Sequence, residues 1–241
     1  MRTSNKILLG IFFLPLLVLA TVNTALYTKY KTGHYIAMAV VEQERYTRQD
    51  LKNIHYVAVY GLNNFTIKPA DTARLQIEKD EKGHLHYNIQ GDSLVIHGDS
   101  LRRTSKEDEV LRSYQAVTLY LPGEANIFAD NTDLYLEGAT DSSKSKSIQL
   151  LLNNSSRFEM PDDFDNEKSQ YFNVLSVHAN NANGIELSAT ARISALQLVL
   201  TNTPFDDKSA AIGKLSINAD KTSSLRLKGD NLEKIKTSSH E

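Results

Sequence analysis

The sequence has no cysteine and no tryptophan, and among its 241 residues glycine (11) and proline (5) are scarce. Without cysteine there is no disulfide, no thiolate nucleophile, no sulfur-ligated metal and no lipid attached through an N-terminal cysteine. Few glycines and prolines argue against a low-complexity, disordered chain, and the missing tryptophan argues against an aromatic sugar platform of the usual kind. An excess of one charge is also absent. The chain carries 27 basic and 29 acidic residues, a formal net charge of -2, and the two signs are mixed along it. No sustained field favours nucleic acid or anionic lipid.

One long apolar run is present. In "MRTSNKILLGIFFLPLLVLATVNTALYTKYK", Arg2 and Lys6 precede an apolar stretch from Ile7 to Val22 that continues more weakly to Tyr27. A bilayer needs about 20 apolar residues to be spanned, and a cleaved signal needs a shorter core followed by small residues. Val18-Leu19-Ala20, downstream of Pro15, fits cleavage after Ala20. Tyr27 with Lys29 and Lys31 fits an uncleaved anchor. Both readings place residues beyond about 30 outside the cytoplasm. The expected product is anchored in the membrane, on the periplasmic side of the inner membrane or in the cell envelope, or else secreted after cleavage. Residues 1–28 are assigned to this signal or anchor and 29–53 to a stalk without a clean period.

From about residue 55 the chain alternates apolar and polar side chains with period two: Val57 with Val59, Phe65 with Ile67, Leu75 with Ile77, Leu94 with Ile96. This is the pattern of strands with one buried face. Only "SKEDEVLRSY" (105–114) suits a short helix, so the body is expected to be all-β. Four windows align without gaps: "VTLYLPGEANIFA" from Val117, "IQLLLNNSSRFEM" from Ile148, "LSVHANNANGIEL" from Leu175 and "LSINADKTSSLRL" from Leu215. Each has apolar residues at places one, three and five, a five-residue polar corner, then apolar residues at eleven and thirteen. Leu196 starts a further, interrupted copy. A registered repeat of this kind predicts a stack of coils, a single-stranded right-handed parallel β-helix over residues 54–237 with a tail at 238–241. The rival is a β-sandwich. The corner "ANNANG", with Asn180, Asn181 and Asn183, aligns with corners of different composition. What these share is turn competence, so the asparagines are expected to bend the chain.

The leader, the segment "FTIKPADTARLQIEKDEKGHLHYNIQGDSLVIHGD" and the "LSVHANNANGIELS" rungs together resemble the "putative auto-transporter adhesin, head GIN domain" family of Bacteroidetes-type bacteria, over about residues 54 to 237. The resemblance implies a β-helical extracytoplasmic domain with an adhesin-like role. It brings no catalytic residues. Where family members often carry Gly-Ser-Gly corners, this chain has Asn153-Asn154-Ser155, Asn180 to Gly184 and Asp220-Lys221-Thr222.

The enzyme-like motifs have simpler explanations. "GDSL" occurs at Gly91–Leu94 and Gly98–Leu101, where Ser100 would be the nucleophile of an esterase. The Gly-x-Asn-Asp and Asp-x-x-His partners are missing, and Gly-Asp-Ser is common turn composition. His84, His86 and His97 could approach a metal from one strand face, but no further ligand of the right type is evident. Asp162, Asp163, Asp165 and Glu167 lack the glycine and glutamate spacing of a calcium loop. The outward positions Thr118, Tyr120, Gln149, Leu151, Ser176, His178, Ser216 and Asn218 do not form an acid–base cluster. The expectation is therefore an interaction or structural module with no catalytic residue, no cofactor-binding residue and no metal site. Its partners would be the membrane, through the N-terminal helix, and an envelope protein or glycan, with no nucleic acid. An envelope enzyme acting on esters or glycans is the alternative.

Overall fold

The computed structural model describes residues 3–33, 45–79, 85–98, 116–162 and 168–238. The chain divides into two units, residues 1–45 and 46–241. In the first unit a helix, α1 (Thr3–Lys31), runs through Pro15 and places Lys29 and Lys31 in its last turn, where cations suit the helix dipole. Thr21, Thr24 and Thr28 donate their hydroxyls to carbonyls one turn back, at 2.7–3.0 Å, so their polar atoms are spent inside the helix. Its segment Phe12–Lys31 is long and apolar enough to cross a membrane.

The second unit is two large β-sheets. The first has nine strands, in the spatial order β1 (Tyr46–Asp50), β4 (Arg74–Glu78), β7 (Val117–Leu121), β3 (Phe65–Pro69), β9 (Asp133–Leu136), β11 (Arg157–Glu159), β13 (Gly184–Glu186), β15 (Phe205–Asp206) and β17 (Leu225–Arg226). The second has eight, in the order β16 (Ala211–Ala219), β14 (Ala191–Thr201), β12 (Gln170–Asn180), β10 (Lys146–Asn153), β8 (Ala125–Asp130), β2 (Tyr56–Tyr60), β6 (Ser93–Gly98) and β5 (Leu85–Gln90). The inward residues of both sheets form one core: Phe65, Leu134, Phe158, Ile185 and Phe205 from the first meet Val59, Ile127, Leu150, Val177 and Leu198 from the second. Burying a side chain of this kind stabilises the fold by roughly 1.5–3 kcal/mol.

This architecture corrects the single-stranded parallel β-helix. Both sheets are mixed. β4 runs antiparallel to β1 and to β7, and β5 and β6 form an antiparallel hairpin. β2 lies between β6 and β8, out of chain order. The β-sandwich fits the two sheets better. Alternation misleads here because it specifies which face of a strand is buried, not the direction or order in which strands pair. The window from Val117 shows the consequence. Val117 pairs with Phe65 in the nine-stranded sheet, whereas Ile148, Leu175, Leu196 and Leu215 are neighbours in the eight-stranded one. The residue beside Ile148 on its other flank is Ala125. Thr118 and Tyr120, expected to share a face with Gln149 and Ser176, thus belong to the other sheet. Tyr46–Asp50, within the segment expected to be a stalk, forms the edge strand β1. The segment expected to be helical, 105–114, lies outside the described residues.

Corners join the sheets. At five of them the first residue after a strand of the eight-stranded sheet has left-handed backbone: Gly61 (φ 68°), Asn131 (50°), Asn154 (44°), Asn181 (54°) and Asn202 (46°). Asparagine tolerates this region better than other residues with a Cβ. The amides of the first four donate to the neighbouring corner, Gly61 to Asp130 O (3.0 Å), Asn131 to Asn153 O (3.3 Å), Asn154 to Asn180 O (3.2 Å) and Asn181 to Thr201 O (3.0 Å). One step further in, the fully buried hydroxyls of Thr132, Ser156 and Thr203 take up amides that the corner would otherwise leave dry. Leu62 N donates to Thr132 Oγ1 (3.4 Å), Thr132 N to Ser156 Oγ (3.2 Å) and Ala182 N to Thr203 Oγ1 (3.2 Å), while Thr203 N donates to the half-buried Ser223 Oγ (3.2 Å).

The C-terminal end is held by a buried carboxylate. Asp207 accepts from Ser209 N, Lys228 N and Asn231 Nδ2 at 2.9–3.0 Å, and Asn231 also donates to Ala210 O. These bonds dock the short helix α2 (Asp230–Ser238).

Two outcomes follow for stability. Val177 is fully buried and Ser176, its neighbour in β12, faces outward. Val177→Asp should lose on the order of 4 kcal/mol, a fall in melting temperature of roughly 10 °C, and Ser176→Asp should change little. Ile217, half-buried on the edge strand β16, should respond less than Val177. Equal tolerance at 176 and 177 in thermal melts would contradict the assigned faces. Asp220 gives a pH signature. Hydrogen bonds from the Thr222 and Ser223 hydroxyls hold its carboxyl down at about 2, against about 3.9 in an unfolded chain. Because the folded value is the lower one, the contribution is present above pH 4 and is lost as pH falls through 2. Asp220→Asn should flatten the stability curve between pH 4 and 2, and an unchanged slope would remove Asp220 from the account.

Candidate binding face

The two outer faces of the sandwich differ in chemistry. On the nine-stranded sheet the outward side chains form a chain of ion pairs: Arg157 with Glu186 (2.9 Å) and Glu159 (3.3 Å), Lys208 with Glu186 (3.4 Å) and Asp206 (3.6 Å), and Arg226 with Asp206 (3.2 Å). Lys68 meets Glu137 at 2.7 Å, and the Arg74 guanidinium lies 4.4 Å from the centre of the Tyr120 ring. Burial alone would raise the carboxyl of Asp206, but the Lys208 amide and the Lys208 and Arg226 charges outweigh it and hold the group below its ordinary range. Burial likewise works against the Arg157 cation. The carboxylates Glu159 and Glu186 more than offset it, and the guanidinium titrates above its usual value. These charges are directed at one another.

The eight-stranded sheet presents nearly neutral rows. Strand pairing aligns Gln90, Ser93, Tyr56, Asn126, Gln149, Ser176, Gln197 and Ser216 in one continuous line across all eight strands. The next outward line is Asn88, Val95, Ala58, Phe128, Leu151, His178, Val199 and Asn218. A third runs from His86 through His97, Tyr60, Asp130, Asn153 and Asn180 to Thr201. The three lines hold one carboxylate, Asp130, and no lysine or arginine. Their rings cluster at the β2–β6–β8 end: Tyr60 stacks on His97 with centroids 4.5 Å apart and planes 8° apart, and lies 5.4 Å from Phe128. Tyr56 remains 53% exposed, Leu151 42% and Val199 38%.

The asparagines at the corners and the amides on this face are used differently. Asn154 Nδ2 donates to Asp130 Oδ2 (3.0 Å), Asn181 to Asn180 (3.2 Å) and Asn202 to Asn181 (2.9 Å), so the corner amides serve the fold. Asn126, Gln149 and Gln197 are exposed, and their side chains have no hydrogen-bond partner among the described residues.

The motifs noticed in the sequence fall as follows. Gly91 (φ 62°) makes the β5–β6 turn, and Ser93 Oγ donates to Asp92 Oδ1 at 3.3 Å, so the first "GDSL" is a hairpin turn. Ser100, in the second copy, lies outside the described residues, as do His84, Asp163, Asp165 and Glu167. His86 and His97 are cross-strand partners on the outer face. Among the described residues no group of three or more histidine, aspartate or glutamate side chains is arranged to hold a metal. Asp162 accepts the buried Ser188 hydroxyl, a structural bond. The sequence reading missed the aligned amide line, whose members are far apart in the chain and share no local motif.

No family model matches the chain, and no curated protein matches it. Among solved structures it is similar to a "putative cell adhesion protein" from Clostridium sporogenes, at 10% identity over 75% of this chain and 97% of that one, with a TM-score of 0.36. It is also similar to a "putative adhesin" from Bacteroides fragilis, at 8% identity over 75% and 95% with a TM-score of 0.34. A "putative lipid binding protein" from Parabacteroides distasonis matches at 12% identity over 76% and 97%, with a TM-score of 0.28. These neighbours do not confirm the head GIN domain family or an auto-transporter.

Proposed function

We propose that this chain is a non-catalytic, adhesin-like interaction module, held at the outer side of a membrane by α1 and binding through the exposed face of its eight-stranded sheet. The observation that carries this reading is the asymmetry of the two faces. One sheet pairs its outward charges with one another. The other keeps amides, hydroxyls and rings facing outward with few internal partners. The length and apolarity of Phe12–Lys31 support the anchor, and residues 46–241 as a separate unit support an external domain. The resemblance to head GIN domain proteins belongs to the same reading.

The test is topology together with chemistry on the full-length protein expressed in a Gram-negative host. It should sediment with membranes, resist alkaline extraction, and be cut by protease added to intact spheroplasts. Ester and glycoside substrates should be hydrolysed no faster than in buffer. A cytoplasmic protein, or a hydrolysis rate that disappears in Ser100→Ala or His178→Ala, would overturn the reading. A soluble mature form starting after Ala20 would replace the anchor with secretion.

A further inference from the structure

We infer that the eight-stranded face takes a neutral, hydroxyl-rich polysaccharide lying across the strands; this inference rests on the function proposed above and names the partner. Charge is the first argument. Over three lines of side chains spanning the sheet there is no lysine or arginine, and the one carboxylate, Asp130, is already engaged by Asn154. Arg192 and Lys214 are exposed on β14 and β16 beyond these lines, so within the lines themselves an anionic polymer, a nucleic acid or an acidic lipid surface would find no cation to pair with. A protein partner of ordinary composition would gain little from arginine or carboxylate anchors. An uncharged polyol loses nothing on such a surface.

Hydrogen-bonding capacity is the second argument. Asn126, Gln149 and Gln197 each offer an amide N–H donor and a carbonyl acceptor, and Ser93, Ser176 and Ser216 each offer a hydroxyl. They stand in one line at the strand spacing, about 4.8 Å. A chain of sugar hydroxyls has the same mixed donor and acceptor character and could meet a partner at each strand. An aliphatic lipid tail could not, and it would leave these groups desolvated and unpaired at a cost of about 1–3 kcal/mol each.

Ring placement is the third. Tyr56 stands in the amide line itself, between Ser93 and Asn126, more than half exposed and with no ring stacked on it among the described residues. A tyrosine ring flanked by amides presents an apolar plane for the C–H side of a sugar next to donors for its hydroxyls. Phe128 and Leu151, in the adjacent line, extend the apolar strip. Tryptophan is not needed for this arrangement, and its absence from the sequence does not exclude it.

The test is binding of the full-length protein, in a detergent without a sugar headgroup, to immobilised neutral mannan and neutral β-glucan, with polygalacturonate as the anionic comparison. At least one neutral polymer should be bound more tightly than polygalacturonate. Tyr56→Ala and Gln149→Ala should each weaken it about fivefold, the loss of roughly one ring contact or hydrogen bond, with melting temperature unchanged. Arg226→Ala, on the opposite face, should leave binding as it was. Retention of neither neutral polymer, stronger binding to polygalacturonate, or insensitivity to both face substitutions would overturn the inference. So would a dimer in light scattering that Tyr56→Ala dissociates, since the face would then serve a second copy. In each case an external, non-hydrolytic protein in the topology test would keep the parent reading, so the two failures are separable.

Discussion

A strand that leaves one sheet and enters the other within a few residues must turn sharply and still find partners for the amides it carries inward. In this sandwich one device meets both needs at the corners that follow β2, β8 and β12. A left-handed residue, glycine at 61 and asparagine at 131, 154, 181 and 202, turns the chain. After residues 61, 131 and 181 a buried hydroxyl from the next corner then receives an amide that no strand can reach, and after 202 the half-buried Ser223 hydroxyl does so. An unpaired buried amide costs about 1–3 kcal/mol. Against a net stability of about ten kcal/mol for a domain, a row of such losses would not be tolerated. The rest of the structure depends on this row, because the corners fix where each strand begins and hence which side chains turn inward.

Once the corners are set, the inward side chains are committed to the core and the outward ones are left to function. The two outer faces have diverged accordingly. Ion pairs on the nine-stranded sheet are partly exposed, and pairs of that kind contribute little individually. Their effect is to cancel charge locally and give a self-satisfied surface. Along its central lines the eight-stranded face carries mostly uncharged groups, a ring cluster at one end and a line of amides and hydroxyls along its width, with Arg192 and Lys214 exposed beyond them. Binding chemistry is thereby separated from the groups that hold the molecule together.

Much of the inward pattern was legible in the sequence. Leu175, Val177, Ala179, Ile185 and Leu187 are all buried, as their period-two spacing implies, and Asn181 bends the chain where the polar corner predicted a turn. In the last window the same positions are less well covered. Leu215 and Ile217 are half-buried and Leu225 is exposed, because β16 and β17 are edge strands. Strand direction and order were not legible. Nothing local distinguishes β4, which pairs antiparallel, from β3, which pairs parallel with the same strand β7. The candidate face was hidden for the same reason. Tyr56 and Asn126 become neighbours only through pairing between β2 and β8, a fact of register across about seventy residues of chain.

Amide hydrogen exchange in the full-length protein is the most direct measurement of the corner device. The amides of Leu62, Thr132 and Ala182, which donate to buried hydroxyls rather than to a strand, should be protected as strongly as the Val177 amide within β12, opening only with the global unfolding of the sandwich. Exchange of these three amides at the rate of exposed loops, with Val177 still protected, would show that the corners do not hold the sheets in place.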